Sequence, residues 1–114
     1  MLMQHQVTSG TVLPAGFKAA GVRCGIQKTG NDLALLVSDE ICPAAGMWTT
    51  NTVAAHCIVR NQNMLKNQRA KAIVVNAGNA NSCTGEPGRL DNLHMAEYAA
   101  RKLKCRPQDV LVLS

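Results

Sequence analysis

Residues 71–88, KAIVVNAGNANSCTGEPG, constrain this chain more than any other stretch. A β-branched run over residues 72–75 reads as a strand, and a helical pattern begins near Arg89. Between them Asn76, Asn79 and Asn81 sit among Ala77, Gly78, Ala80 and Ser82. Short side chains and glycine allow turns and positive-φ positions, and they leave backbone groups open to a partner. Strand, polar loop and helix in that order imply an α/β fold, a mixed β-sheet with packed helices, in which the loop is presented at the end of a strand.

The rest of the chain supplies the other layers. Residues 1–13 read as an irregular start, and Pro14, Ala15 and Gly16 mark the entry into order. Residues 17–26 (FKAAGVRCGI) read as a strand whose Gly21 and Gly25 admit close packing, and the turn residues 28–32 then predict a hairpin. The apolar run 33–38 (LALLVS) is expected to be a central strand covered on both faces and ended by Asp39 and Glu40. Residues 45–50, with Trp48, and residues 56–60 (HCIVR) are two further strand candidates, followed by a short helical turn or loop over 61–65. Residues 89–104 form the best helix. Leu90, Leu93, Ala96 or Glu97, Ala100 and Leu103 recur on one face, Asp91 lies in the first turn, and Arg101, Lys102, Lys104 and Arg106 gather near the end, where cations suit the dipole. Pro107 stops it, and residues 110–113 (VLVL) read as a buried strand with only Ser114 after it. A buried strand ordinarily delivers the chain to a turn, so this ending reads as a cut inside a fold.

Composition excludes several classes. At 114 residues the chain has the length of one domain, and with 3% aromatics its core must come from small aliphatic side chains. Such a core gains less per residue at about 25 cal/mol per Å². The charge of +5 raises the question of nucleic acid, but the basic residues are not interleaved with aromatics, and none is expected as a partner. Cys24, Cys42, Cys57, Cys83 and Cys105 show no CxxC pair, so they read as core thiols of a reducing compartment, without disulfides or a metal. His56 and Cys57, if on a strand, would point to opposite faces. The start lacks the pattern of a signal peptide, and no run approaches the ~20 apolar residues of a membrane span, so a cytoplasmic protein without membrane contact is expected.

Motifs for local chemistry are weak. Gly78, Gly85 and Gly88 lack the spacing of a dinucleotide loop, no Walker lysine is present, and Glu86 would oppose an anion at the helix start. Cys83 with His94 as base is the one nucleophilic pairing to consider, and His94 also fits as a boundary residue of the helix. No serine or threonine has a neighbouring triad pattern.

Four segments in order carry a resemblance: GFKAAGVRCGIQKTGNDLALLVSD, AAGMWTTN, AKAIVVNAGNANSCTGEPG and DVLVLS. Together they resemble the N-terminal part of the ornithine acetyltransferase family, the bifunctional glutamate N-acetyltransferases of arginine biosynthesis, over residues 14–114. The resemblance implies a larger αββα-type sandwich and a precursor that cuts itself before an internal threonine. That threonine then carries the acetyl group from N-acetylornithine to glutamate as an acyl-enzyme, with its own amine as base. Bifunctional members also use acetyl-CoA as donor, and no metal or bound organic cofactor is implied. The implied partners are the remaining α and β segments of the same precursor, in a hetero-oligomer, and small-molecule substrates. In the family a Thr-Gly pair follows the serine matching Ser114 and forms the oxyanion hole, with the nucleophile later still. No catalytic residue therefore transfers to these 114 residues, and the chain is expected to be inactive alone. Asn79, Asn81 and Thr84 are the candidate substrate-side groups, bordering the cleft or bracing the oxyanion turn. The rival expectation is a non-catalytic binding or assembly module that keeps the scaffold.

Overall fold

The computed structural model describes residues 13–114. Strands β1 (Phe17–Val22), β2 (Leu33–Pro43), β3 (Arg69–Asn76) and β4 (Val110–Leu113) form one sheet in the order β1-β2-β3-β4. The first two pairings are antiparallel and β3 pairs β4 in parallel, so the sheet is mixed, as expected. Helix α1 (His56–Met64) precedes β3, and helix α2 (Gly85–Leu103) forms the crossover between β3 and β4 that a parallel pair requires. The expectation for residues 1–12 lies outside the described residues.

Alternation along β3 decides which face holds the core. Ala70, Ala72, Val74 and Asn76 are buried, while Lys71, Ile73 and Val75 on the other face are only half-buried. Ala72 and Val74 meet Val110 and Val112 of β4, and Ala96 and Ala100 of α2 and Cys57 of α1 close over them, with Leu33, Leu35 and Val37 at the margin. Both helices thus pack on one face. On the other, Ala19, Leu36, Ile73 and Leu111 lie in one row across all four strands, Leu111 buried and the other three half-buried. The strand over 33–38 is central in the sheet, between β1 and β3.

The buried stripe of α2 is Gly88, Asn92, Ala96 and Ala100, a strict four-residue repeat of small side chains. Such a stripe lets the helix approach the sheet closely. Leu93 and Leu103 flank it half-buried, and Leu90, expected on the inner face, is 37% exposed. The helix also starts at Gly85, four residues before the expected Arg89.

Other expectations are corrected. Residues 56–60 are helix, because Cys57 and Asn61, one turn apart, both bury against β4 and only a helix puts them on one face. Asn61 pairs through its side chain with Val112, and Arg60 reaches Val110, contacts invisible in the local pattern. Residues 45–50 are irregular. Thr49 Oγ1 accepts the Asn51 N–H at 3.1 Å and Asn51 Oδ1 the Val53 N–H at 2.9 Å, side-chain turns that compete with a ladder. β2 does not end at Asp39 but runs to Pro43 through an irregularity between Val37 and Cys42. β1 ends at Val22, and residues 23–32 form the hairpin loop. Of the cysteines only Cys57 is buried; Cys24 and Cys83 are exposed, so these two are not core thiols.

Candidate functional site

The loop over 77–84 leaves β3 at the end where β4 also finishes, the position at which open α/β sheets present ligands. Gly78 has φ +94° and Cys83 φ 55°, which lets the chain double back before α2. A side chain at Gly78 would come within 2.6 Å of Gln27 Cγ, so the hairpin loop rests directly on this glycine.

Asp32 joins the two loops. Its carboxylate accepts the backbone N–H groups of Cys24 at 2.6 Å, Gly25 at 3.0 Å and Gln27 at 2.9 Å, while its own carbonyl accepts the Ala77 N–H at 2.9 Å. These backbone donors hold the Asp32 carboxyl well below the usual carboxylate range. The same carboxylate pushes the Cys24 thiol up.

Within the loop, Ser114 Oγ donates to the Asn79 carbonyl at 2.6 Å and so ties the end of β4 to the turn after β3. Thr84 Oγ1 donates to the Asn81 carbonyl at 2.9 Å. Asn81 is buried and its Nδ2 donates to Asn92 Oδ1 of α2 at 3.3 Å. Asn76 is buried at the end of β3, with Nδ2 3.1 Å from Met95 Sδ. The Oδ1 atoms of Asn76 and Asn81 have no hydrogen-bond partner among the described residues. A buried acceptor left so costs about 1–3 kcal/mol, and polar groups kept at such a cost mark strained or functional places. All these residues line a cleft of about 120 Å³ together with Asp91 and Gly88. Gly88 is fixed sterically: a Cβ there would come within 2.6 Å of Thr84 Cβ.

The structure therefore brings Asn79, Asn81 and Thr84 to one cleft, with unequal roles. Asn79 offers its side chain outward, Asn81 braces α2, and Thr84 folds back on the loop. Asn92 was not singled out by sequence; its signal was the four-residue repeat with Gly88, Ala96 and Ala100. Cys83 and His94 are both exposed, and no hydrogen bond joins them among the described residues. His94 instead lines a groove of about 570 Å³ beside α2, together with Met95 and Tyr98 of the same helix and with Leu33, Leu35 and Val74 of the sheet. Among the described residues no group of three or more His, Cys, Asp or Glu gathers as a metal site, and no helix is long and apolar enough to cross a membrane.

The fold and the cleft define an α/β scaffold with a polar loop at the carboxyl ends of a parallel strand pair. The chain belongs to the ArgJ family, whose sequence model matches residues 18–114. It is 43% identical over 102 residues to the arginine biosynthesis bifunctional protein ArgJ of Caldanaerobacter subterraneus subsp. tengcongensis, covering 90% of this chain and 25% of that protein. The ArgJ of Symbiobacterium thermophilum is also 43% identical, with 90% and 26% covered. This chain thus spans about a quarter of the length of the curated relatives it matches. Among solved structures it is similar to the argJ protein of Bacillus halodurans, at TM-score 0.83 and 29% identity, covering 86% of this chain and 52% of that one. It is likewise similar to the ornithine acetyltransferase of Mycobacterium tuberculosis complexed with ornithine, at TM-score 0.82 and 35% identity, covering 89% and 57%.

Proposed function

We propose that this chain supplies the scaffold part of a glutamate N-acetyltransferase of arginine biosynthesis, which moves an acetyl group from N-acetylornithine to glutamate. The threonine nucleophile and the oxyanion groups belong to the length of the relatives that these 114 residues do not span, in partner segments of the same precursor. The 77–84 loop holds the end of β4 in place and borders the cleft, so its role is support of the site. One observation carries this reading: Ser114 Oγ donates to the Asn79 carbonyl, which ties the end of β4 to the loop beside the cleft. The kinship with the ornithine-bound relative supports the substrate class.

The test joins the 114 residues to the remaining sequence of a relative such as that of Caldanaerobacter and measures acetyl transfer from N-acetylornithine to glutamate. Transfer by the joined protein, none by the 114 residues alone, and a fall in kcat with Ser114→Ala are the expected results. Transfer by the 114 residues alone would overturn the assignment of the chemistry to partner segments. An unchanged kcat for Ser114→Ala would overturn the role of the loop.

A further inference from the structure

All four strands bring one end to the same rim of the sheet: β1 finishes there at Val22, β2 starts at Leu33, β3 finishes at Asn76 and β4 at Leu113. Hydrogen bonds cross that rim just outside the ladders. The Asp32 N–H donates to the Val22 carbonyl at 3.0 Å, and the Asp32 carbonyl accepts the Ala77 N–H at 2.9 Å. Two residues further on, the Asn79 carbonyl accepts Ser114 Oγ at 2.6 Å. The segment 77–79 is thus held from both sides, by Asp32 on one and by Ser114 on the other.

The same aspartate shapes the hairpin loop. Residues 23–31 are all exposed while Asp32 is 2% exposed, so the loop has no buried side chain of its own to give it form. Its form comes from one carboxylate that gathers the N–H groups of Cys24, Gly25 and Gln27 at 2.6, 3.0 and 2.9 Å. Bonds to an ionised acceptor are roughly twice as strong as neutral ones, so three of them fix the loop firmly. The loop then lies against the polar loop, with Gln27 in the space beside Gly78 that a Cβ would need. What the clasp secures is therefore the contact with residues 77–79, not a core.

We propose that Asp32 is a positioning residue for acetyl transfer. By clasping the hairpin loop and bonding Ala77 it sets the segment to which Ser114 is tied, and through Ser114 the place of the oxyanion groups assigned above to the partner segments. The inference rests on that reading of the 77–84 loop. Asp32 touches no substrate; it acts through Ala77, Asn79 and Ser114 in turn. A brace that bears on the reacting centre and makes no substrate contact acts on kcat and leaves KM in place. A group that serves only the fold has an effect that does not depend on Ser114.

The joined protein of the acetyl-transfer assay tests this. Asp32→Asn exchanges one acceptor oxygen for an NH2 group that cannot accept, and kcat is expected to fall about tenfold or more, with KM for N-acetylornithine changed less than about twofold. Gly25→Ala is the second variant: at φ +94° its methyl meets no atom within 4 Å, so it strains the hairpin loop and leaves Asp32 and the core untouched. It lowers kcat in the same sense, and it decides alone if Asp32→Asn does not fold. In a Ser114→Ala background both changes lose most of their effect, because the link through which they act is already cut. The full effect in that background means that Asp32 serves the fold alone, and overturns the proposal. Parent-like kcat in both variants overturns it equally. No transfer by the joined parent overturns the acetyl-transfer reading itself, and this inference falls with it.

Discussion

The side-chain amide of Asn61 pairs with the backbone of Val112 in both directions, donating to its carbonyl at 2.7 Å and accepting its N–H at 3.0 Å. Asn61 is 2% exposed and Val112 is fully buried, so no water replaces either bond. A residue on α1 thus acts as the missing neighbour strand of β4 and holds the helix in register with the sheet.

Asn61→Leu fills similar volume but orphans both Val112 groups. At about 1–3 kcal/mol for each of the two buried groups left unpaired, the loss of stability is about 2–6 kcal/mol. Urea unfolding measures it; a change under half a kcal/mol, small on that scale, would show that the pairing is not needed.

Gly88→Ala drives a methyl into Thr84 at the start of α2. Overpacking of this kind costs about 1–3 kcal/mol. Thr84→Gly should recover part of the loss, because it removes the atom in conflict. A double-mutant cycle that finds the two changes additive would contradict the contact.

Acid sensitivity should follow Asp32. Its folded pKa is depressed below the unfolded value by three backbone donors, so its contribution is present above the unfolded pKa of about 3.9 and is lost as pH falls through the folded value. Asp32→Asn should therefore flatten the dependence of stability on pH in the acid range. Asp109 beside Arg106 and Glu86 beside Arg89 are depressed in the same sense, so the slope decreases without vanishing. Chemical denaturation from pH 2 to 6 follows this, and an unaltered slope would exclude the clasp as its source.

Asn76→Leu removes a buried oxygen that has no partner beside Met95. Relief of that group should raise stability by about 1 kcal/mol. In the joined enzyme of the acetyl-transfer assay the same change reads out whether the asparagine serves the cleft. Lower stability in urea would mean that the oxygen is satisfied in solution.

The segment that pointed most directly to the fold was also its hinge. β-branched alternation before Asn76, turn chemistry through Gly78 and the helix that follows were all legible, as were the hairpin turn and β4. The family motif was legible too. The sandwich's second sheet, the oxyanion turn and the nucleophile were implied by resemblance alone.

Legibility failed where distant residues decide. Ile58 and Val59 favour a strand locally, yet α1 is a helix because Cys57 and Asn61 must reach β4, with Asn61 bonding a residue 51 positions away. Ala100 was expected on the inner face and lies there, but Leu90 was expected too and is exposed, because close approach to β3 and β4 selected the small residues Gly88 and Ala96 beside Ala100. Thr84 read as a polar candidate, and its hydroxyl is spent inside the loop. The sequence by itself determined the order of strand, loop and helix, because period and turn chemistry act between near neighbours. Which face each helix buries, which edge of the sheet is closed and which asparagines are left unpaired were decided only by the tertiary structure, because burial and hydrogen-bond satisfaction are settled between residues that the chain keeps far apart.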